Sequence, residues 1–343
     1  VKGLYIIICL YVDDALVAEN WASRFNKFTQ YIQNKIEITN EGYLNWYLSV
    51  KWKFNVDASR VMANQVAYVE KVAKTFGVDP NSDKGPKTPM DERFHVKPED
   101  MPEADEVDPT LRTKSKSLTG SLLFPAGWCR PDLTFAVSKV ARFAARPTQA
   151  VIDAGMRILR YMVKTKYFGI QFSRNAADLF GFELNQLFAY CDASYGDDLI
   201  GRKSTIGYII YMNGGPVTWK SKLTPTVEGS STHAELAALG ACVEDVCNLR
   251  SIMSTLGFEQ KSPTPVYVDN ESCIAICSNK RSTHNKPVDV RYQKIRERVR
   301  LMEIVLVPCS TLDQRADMLT KALGNNKFHE CASYSVIDGR DFE

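Results

Sequence analysis

The sequence is poor in histidine, paired cysteines and long apolar runs. Four histidines and nine cysteines are spread over 343 residues, and no two cysteines form a CxxC motif. Cys273 and Cys277 would share a helical face, but the absence of a neighbouring histidine argues against a zinc site. Scattered cysteines of this kind are typical of reduced thiols in a cytosolic or nuclear compartment, and they argue against a secreted disulfide framework.

A membrane-spanning segment is also missing. The longest apolar run, residues 4–12, is far shorter than the roughly 20 residues that a membrane helix needs. No basic-then-apolar signal sequence opens the chain, which begins with Val1 and not with methionine. We therefore expect a fragment of a longer protein that is cytoplasmic or nuclear and has no membrane partner.

A large net charge is the third absence. The formal net charge at pH 7 is only +3, so the total does not mark a nucleic-acid-binding protein. Residues 280–300 nevertheless hold eight basic residues against two acidic ones. This segment is a candidate phosphate-facing surface, and a solvated helix face with internal ion pairs is the alternative.

The first half has the apolar patterns of an α+β unit. Apolar runs on either side of Asp13 and Asp14 predict a hairpin with carboxylates at its turn. The alternation over residues 44–54 predicts a single strand with one buried face. Residues 86–109 are rich in proline and acidic residues, which predicts a linker or long surface loop. Helices and a short strand at 168–172 are expected after it.

The second half predicts a mixed α/β sheet with helices on its faces. Three strands in an antiparallel meander come first, and helices alternate with strands afterwards. The expected strands are 187–191, 205–211, 216–220, one ending at 268, and 303–307, and the expected helices are 232–253, 271–278, 288–301 and 312–323.

Four carboxylates stand at strand ends and helix starts of this pattern. Asp192 follows the first strand, Asp269 ends the fourth, and Glu235 and Asp317 lie early in helices. Each alone is explained by a turn, a helix cap, a helix dipole or surface polarity. Together they indicate bound cations, because clustered carboxylates repel one another and Mg²⁺ prefers carboxylate oxygens. Two such ions about 3.5 to 4 Å apart hydrolyse phosphodiesters without a nucleophilic side chain.

Motifs in both halves resemble the Pol polyprotein of Ty1/copia retrotransposons. YVDD at 11–14 is similar to the active-site hairpin of a reverse transcriptase, and short motifs between residues 42 and 161 resemble the part downstream of it. The motifs similar to its ribonuclease H domain are YCDAS (190–194), GRKSTIGY (201–208), VTWKSK (217–222), SSTHAEL (230–236), YVDN (267–270), VDVRY (288–292) and ADMLTK (316–321).

This resemblance implies a division of the chain. Residues 1–175 would be the end of a reverse transcriptase, an α+β remnant with a palm hairpin, a thumb or connection region and an acidic loop at 83–113. Residues 185–325 would form the ribonuclease H domain, with its mixed sheet and helices on both faces, and residues 326–343 a tail.

The resemblance also implies an activity, the cleavage of the RNA strand of an RNA/DNA hybrid. Asp192, Glu235, Asp269 and Asp317 would be the catalytic residues and the ligands of two Mg²⁺ ions, for which Mn²⁺ can substitute. Asp13 and Asp14 would be two of the metal-binding carboxylates of a polymerase. Only twelve residues precede Asp13, so we expect the fingers and the remaining palm carboxylate to be absent and DNA synthesis by this chain alone to be lost.

The family further implies contacts to the hybrid from small polar and basic groups. Two positions depart from its pattern, because His233 stands where an acidic residue is usual and Pro287 where a histidine is usual. An inactive or domesticated remnant that only binds nucleic acid or protein is therefore the alternative function. For Trp219, the alternative to a hybrid contact is packing in the core. The expected contacts are Arg202, Lys203, Ser204, Trp219, Lys220, Ser231, Thr232 and Asn270.

Overall fold

The computed structural model describes residues 3, 5–103, 105–175, 181–278, 290–340 and 342. Its strands are β1 (Ile6–Tyr11), β2 (Asp14–Glu19), β3 (Trp46–Tyr47), β4 (Val50–Phe54), β5 (Arg60–Asn64), β6 (Phe168–Ser173), β7 (Phe188–Ser194), β8 (Thr205–Met212), β9 (Gly215–Leu223), β10 (Thr264–Val268), β11 (Ile304–Pro308) and β12 (Ile337–Asp338). Its α-helices are α1 (Ala22–Gln33), α2 (Val66–Thr75), α3 (Pro109–Trp128), α4 (Thr134–Ala141), α5 (Gln149–Lys164), α6 (Ser231–Thr255), α7 (Glu271–Ser278), α8 (Val290–Arg300) and α9 (Asn325–Ser333).

The first half contains a separate hairpin and four strands of a five-stranded antiparallel sheet, whose fifth strand, β12, comes from the end of the chain. Strands β1 and β2 pair only with each other, and the other sheet has the order β12-β6-β5-β4-β3. The single strand predicted over residues 44–54 is wrong, because the chain reverses between β3 and β4. Leu48 and Ser49 both have positive φ, the conformation of a tight hairpin turn that fits the twist of its strands.

The second half forms the predicted mixed sheet. Its strand order is β11-β10-β7-β8-β9, in which β7, β8 and β9 are the expected antiparallel meander. Strand β10 runs parallel to β7, and β11 runs parallel to β10. The ends of β7 and β10 therefore lie at the same edge of the sheet, which is where ligands bind in open α/β sheets.

Both faces of this second sheet are covered, because side chains alternate between the two faces of each strand. Ala189 and Cys191 of β7 pack in one apolar cluster with residues of α6. Phe188 and Tyr190 of the same strand belong to another cluster, which includes residues of α2, α3, α4, α5 and α9. One continuous core thus joins helices of the first half to the sheet of the second half.

Two boundaries differ from the prediction. The loop predicted to run to residue 113 ends at Asp108, whose carboxylate caps α3 by accepting a hydrogen bond from the Thr110 N–H at 2.8 Å. Proline suits the first position of this helix, where its missing N–H has no partner to lose. Residues 326–343, the expected tail, contain most of α9 and all of β12, which pairs with β6.

The last helix predicted in the second half, residues 312–323, is wrong. The chain forms only a short 3₁₀ helix, Arg315–Leu319, in which Ala316, Met318 and Leu319 are buried. Gln314 precedes it and donates a hydrogen bond to the Cys191 carbonyl at 3.0 Å. This bond and the burial hold the segment against β7 and favour a tight turn there.

No helix among the described residues is both long and apolar enough to cross a membrane.

Candidate metal centre

Asp192, Glu235 and Asp269 converge at one edge of the second sheet. One carboxylate oxygen from each lies within 4.8 Å of the others, and the described part of the chain holds no other group of this kind. Asp269 directly follows β10, as predicted. Asp192 lies inside β7, opposite Gly207, and does not follow the strand as expected, while Glu235 is in the second turn of α6. Neighbouring parallel strands and one helix thus position three carboxylates.

Asp317 lies beside this group and is joined to it through Lys321. The Lys321 ammonium nitrogen is 2.7 Å from Asp317 Oδ1 and 3.8 Å from Asp192 Oδ2. The side chains of Asp192 and Asp317 are each 4% exposed, whereas that of Lys321 is 41% exposed. The structure therefore brings the four predicted carboxylates together, with a lysine between the fourth and Asp192.

Burial and mutual repulsion raise the pKa of three of these carboxyl groups. Burial, reinforced by the charges of Asp192 and Asp269, raises the pKa of Glu235 to about 9. Burial and Asp192 raise the pKa of Asp317 to about 6 against the opposing effect of Lys321. The pKa of Asp269 is raised for the same two reasons, burial first and Asp192 second. The arrangement resists holding all its negative charges without a cation.

The donor atoms fit a hard divalent ion. Glu235 is 7% exposed, and its Oε2 atom is buried without a hydrogen-bond partner among the described residues. An unpaired buried carboxylate oxygen is costly, because it has lost its water and gained nothing in exchange. Carboxylate oxygens are the ligands that Mg²⁺ and Mn²⁺ prefer.

Asp192 is oriented by a segment that the sequence analysis did not assign a role. The Thr320 hydroxyl donates a hydrogen bond to Asp192 Oδ2. Gly207 makes this approach possible, since a Cβ atom there would lie 2.7 Å from Leu319 Cβ and 2.8 Å from Thr320 Cγ2. Thr320 and Lys321 close the motif ADMLTK, and Gly207 lies in GRKSTIGY, so the motifs contained these residues without revealing their contacts.

Asp269 does not cap the helix that follows it. The side chain of Asn270 has that role, because its Oδ1 accepts a hydrogen bond from the Cys273 N–H at 2.9 Å. Ser230 similarly caps α6 through the His233 N–H. Helix capping therefore does not explain why an aspartate stands at position 269. Its position in the acidic group needs another explanation.

Several of the expected hybrid contacts are exposed or half-buried. Ser231 and Thr232 lie in the first turn of α6, and Asn270 is next to Asp269. Arg202 is exposed in the loop between β7 and β8, with half-buried Lys203 beside it. These side chains are therefore accessible to a binding partner.

Three other expected contacts have structural partners. Ser204 is fully buried, and its hydroxyl accepts a hydrogen bond from the Gly196 N–H at 3.1 Å. The indole N–H of Trp219 donates to the Ala126 carbonyl at 2.7 Å, which links β9 to α3. Lys220 is exposed and pairs with Asp245 at 2.9 Å. Direct contact by Ser204 does not agree with its burial, and Trp219 is engaged in the packing of the two halves.

Asp13 and Asp14 lie where the hairpin was predicted. Asp14 opens β2 opposite Tyr11, and both aspartates are exposed. No third carboxylate, histidine or cysteine forms a metal-binding group with them in the described ranges. His233 is exposed, and its ring stacks on Tyr292 with centroids 6.3 Å apart. Pro287 and much of the basic segment 280–300 lie outside the described residues.

Sequence comparisons agree with the motifs over nearly the whole chain. It is 30% identical over 329 residues to the retrovirus-related Pol polyprotein from transposon TNT 1-94 of Nicotiana tabacum, covering 95% of this chain and 24% of that protein. It is 28% identical over 334 residues to the corresponding polyprotein from transposon RE1 of Arabidopsis thaliana, covering 97% and 22%. The curated relatives that the chain is similar to are Ty1/copia-type retrovirus-related Pol polyproteins. The expected resemblance to these polyproteins and the expected α/β fold class are thus confirmed.

The chain spans about a quarter of the length of those curated relatives. Among solved structures it is similar to the foamy viral protease-reverse transcriptase in complex with an RNA/DNA hybrid, at 11% identity and a TM-score of 0.42. That similarity covers 92% of this chain and 37% of the viral one. A comparison with models of known protein families finds no match.

Proposed function

We propose that this Pol segment hydrolyses the RNA strand of RNA/DNA hybrids, with divalent metal ions held by Asp192, Glu235, Asp269 and Asp317. The observation that carries the proposal is the acidic group, in which three carboxylates meet within 4.8 Å and Glu235 Oε2 is buried without a partner. When bound, two Mg²⁺ or Mn²⁺ ions supply an activated water and stabilise the leaving oxygen of a phosphodiester.

The protein's own residues hold and orient this group. Asp192 is central, because it lies within reach of Glu235 and Asp269 on one side and is linked through Lys321 to Asp317 on the other. Thr320 fixes its carboxylate. Around it, Ser231, Thr232 and Asn270 offer small polar groups, which suit 2′-hydroxyls in a wide minor groove, and Arg202 offers a cation for phosphate. This set supports selection of an RNA-containing duplex by residues 185–325.

The test uses the purified chain with Mg²⁺ and three labelled substrates, namely an RNA/DNA hybrid, duplex DNA and single-stranded RNA. We expect cleavage of the RNA strand of the hybrid alone, and loss of cleavage when EDTA removes the metal. Binding of the hybrid without cleavage would support the alternative, an inactive remnant. Cleavage of all three substrates would contradict the proposed specificity.

A second arm of the same experiment measures nucleotide incorporation on a primed template. We propose that this chain alone extends no primer, because Asp13 and Asp14 lack a third ligand among the described residues. Detectable incorporation would contradict this part of the proposal without affecting the nuclease assignment.

A further inference from the structure

Lys321 occupies a special place among the four carboxylates. Its ammonium nitrogen lies 2.7 Å from Asp317 and 3.8 Å from Asp192, so it bridges two carboxylates of which each is 4% exposed. Glu235 and Asp269 form no ion pair with Lys321, although its charge acts on both, and Glu235 Oε2 has no hydrogen-bond partner among the described residues. The two sides of Asp192 are therefore unequal.

Building on the proposed function, we propose that Lys321 holds the place of the second metal ion between Asp192 and Asp317 until that ion binds. An ammonium group and a divalent ion compete for the same carboxylate oxygens, because each is attracted by the same negative charge. The three-carboxylate side is open to an ion at once. The Asp192–Asp317 side accepts one only after the ammonium has moved away.

The side chain of Lys321 is built for such a movement. It is 41% exposed, on a flexible four-carbon stem, so its ammonium group can reach water while the two buried carboxylates stay in place. A divalent ion that neutralises Asp192 and Asp317 would favour the release of the ammonium group from these carboxylates. Lys321 is thus a positioning residue that orders the loading of the ions.

This arrangement has a measurable consequence for metal affinity. When only a fraction of the molecules can accept an ion, the apparent Kd is the intrinsic Kd divided by that fraction. If the ammonium group is in place in about nine of ten molecules, the apparent Kd of the second ion is therefore raised about tenfold. Lys321→Met keeps most of the side-chain volume and removes the charge. It should strengthen binding of the second ion about tenfold and that of the first ion by less, because the charge of Lys321 also acts on Glu235 and Asp269.

The experiment is a calorimetric titration of the full chain with Mn²⁺ and with Mg²⁺, without nucleic acid. Parent, Lys321→Met and Lys327→Met are compared, and thermal unfolding verifies that each variant is folded. Lys327 is the matched control, because it is close in sequence and pairs with Glu330, 3.7 Å away, so its loss changes the net charge equally. We expect a tighter second site in Lys321→Met only.

The outcomes separate this inference from the proposed function. An unchanged or weaker second site in Lys321→Met, with parent-like binding of the first ion, would overturn the role of Lys321 and leave the nuclease proposal intact. Equal tightening in Lys327→Met would also overturn it, because net charge would then explain the change. If Asp192→Asn binds metal as the parent does, the metal site is not where we propose, and the proposed function itself is contradicted. If Lys321→Met does not fold, Lys321→Gln is titrated in the same way and subject to the same criteria.

Discussion

Glu235 shows most clearly how one residue can report on the whole acidic group. Its pKa is raised to about 9 from an ordinary value of 4.5 because it is buried beside Asp192 and Asp269. The folded protein therefore keeps a proton on this carboxyl over a pH range in which the unfolded chain has lost it. A divalent ion at the proposed site would replace that proton, so metal binding and proton release would be linked.

The first prediction follows from this linkage. In the metal-free protein, the stability associated with Glu235 is fully present below about pH 4.5 and is lost as the pH rises through about 9, because the folded state binds the extra proton. Thermal unfolding at about pH 5, 7 and 9, with chelator or with Mg²⁺, measures this effect. Stabilisation by Mg²⁺ should increase with pH.

Glu235→Gln is the matched control for this measurement, since glutamine has nearly the same shape and does not titrate. As the pH rises, the Tm of the metal-free parent should fall relative to the Tm of this variant. A difference that stays constant from acid to alkaline pH would show that Glu235 does not carry the raised pKa.

The four carboxylates were predictable at this scale, and their supporting residues were not. Asp192, Glu235, Asp269 and Asp317 stand out by chemistry and by their positions in the motifs. Contacts such as Thr320 to Asp192 join residues 128 positions apart. They depend on how the segment 315–320 packs across β7 and β8, which no local pattern encodes.

Among the elements, the 3₁₀ helix Arg315–Leu319 and strand β8 decide the geometry of the site. The apolar pattern predicted a longer α-helix there, since Met318 and Leu319 are as compatible with one helix type as with the other. What the pattern omits is the anchoring of the segment by Gln314 at one end and Thr320 at the other. The meander of β7, β8 and β9 was better predicted, because strands that follow one another in sequence usually lie next to each other in a sheet.

The second prediction tests this packing with Gly207→Ala. The added Cβ would lie under 3 Å from Leu319 Cβ and Thr320 Cγ2, so the 315–320 segment must move away from β8. Overpacking of this kind costs about 1 to 3 kcal/mol of unfolding free energy. Metal binding should weaken as well, because the hydrogen bond from the Thr320 hydroxyl to Asp192 would be lost.

Gly120→Ala serves as the control in chemical denaturation and metal titration. Gly120 lies exposed in α3, where an added Cβ meets nothing within 4 Å. It should stabilise the protein by about 0.5 to 1 kcal/mol, since alanine is the better helix former. If both variants gain stability and bind metal as the parent does, the close packing over β8 is not required for the site.

On the scale of the whole molecule, the two halves share a core. Phe188 and Tyr211 of the second sheet belong to the same apolar cluster as Leu122 of α3 and Ile158 of α5. The division expected between residues 175 and 185 did not reveal this contact, because apolar periodicity shows that a face is buried without showing which element it packs against. For the same reason, residues 326–343 were expected to be a tail, although α9 packs against the core.

The third prediction concerns that final segment. Phe328 of α9 is 4% exposed, and its ring meets Tyr161 of α5 edge-on with centroids 5.9 Å apart. Phe328→Ala should cost about 3 to 5 kcal/mol, the range for a buried aromatic side chain. Asn326→Ala, on the exposed side of the same helix, should change stability little. Equal and small effects of both substitutions in chemical denaturation would mean that the segment does not stabilise the core.

The measurement that tests the central claim most directly is hybrid cleavage by Asp269→Asn. The substitution keeps the size of the side chain, removes a charge that Asp192 repels, and leaves the α7 cap Asn270 untouched, so Tm should not fall below the parent value. The negative charge near the proposed ions is lost, and removal of such an electrostatic element costs on the order of 10² to 10³ in rate. Glu271→Gln, exposed in the first turn of α7, is the control and should cleave like the parent. Our account predicts metal-dependent cleavage by the parent and the control, with cleavage by Asp269→Asn reduced by that factor. Cleavage by Asp269→Asn at the parent's rate and with the parent's metal dependence would contradict it.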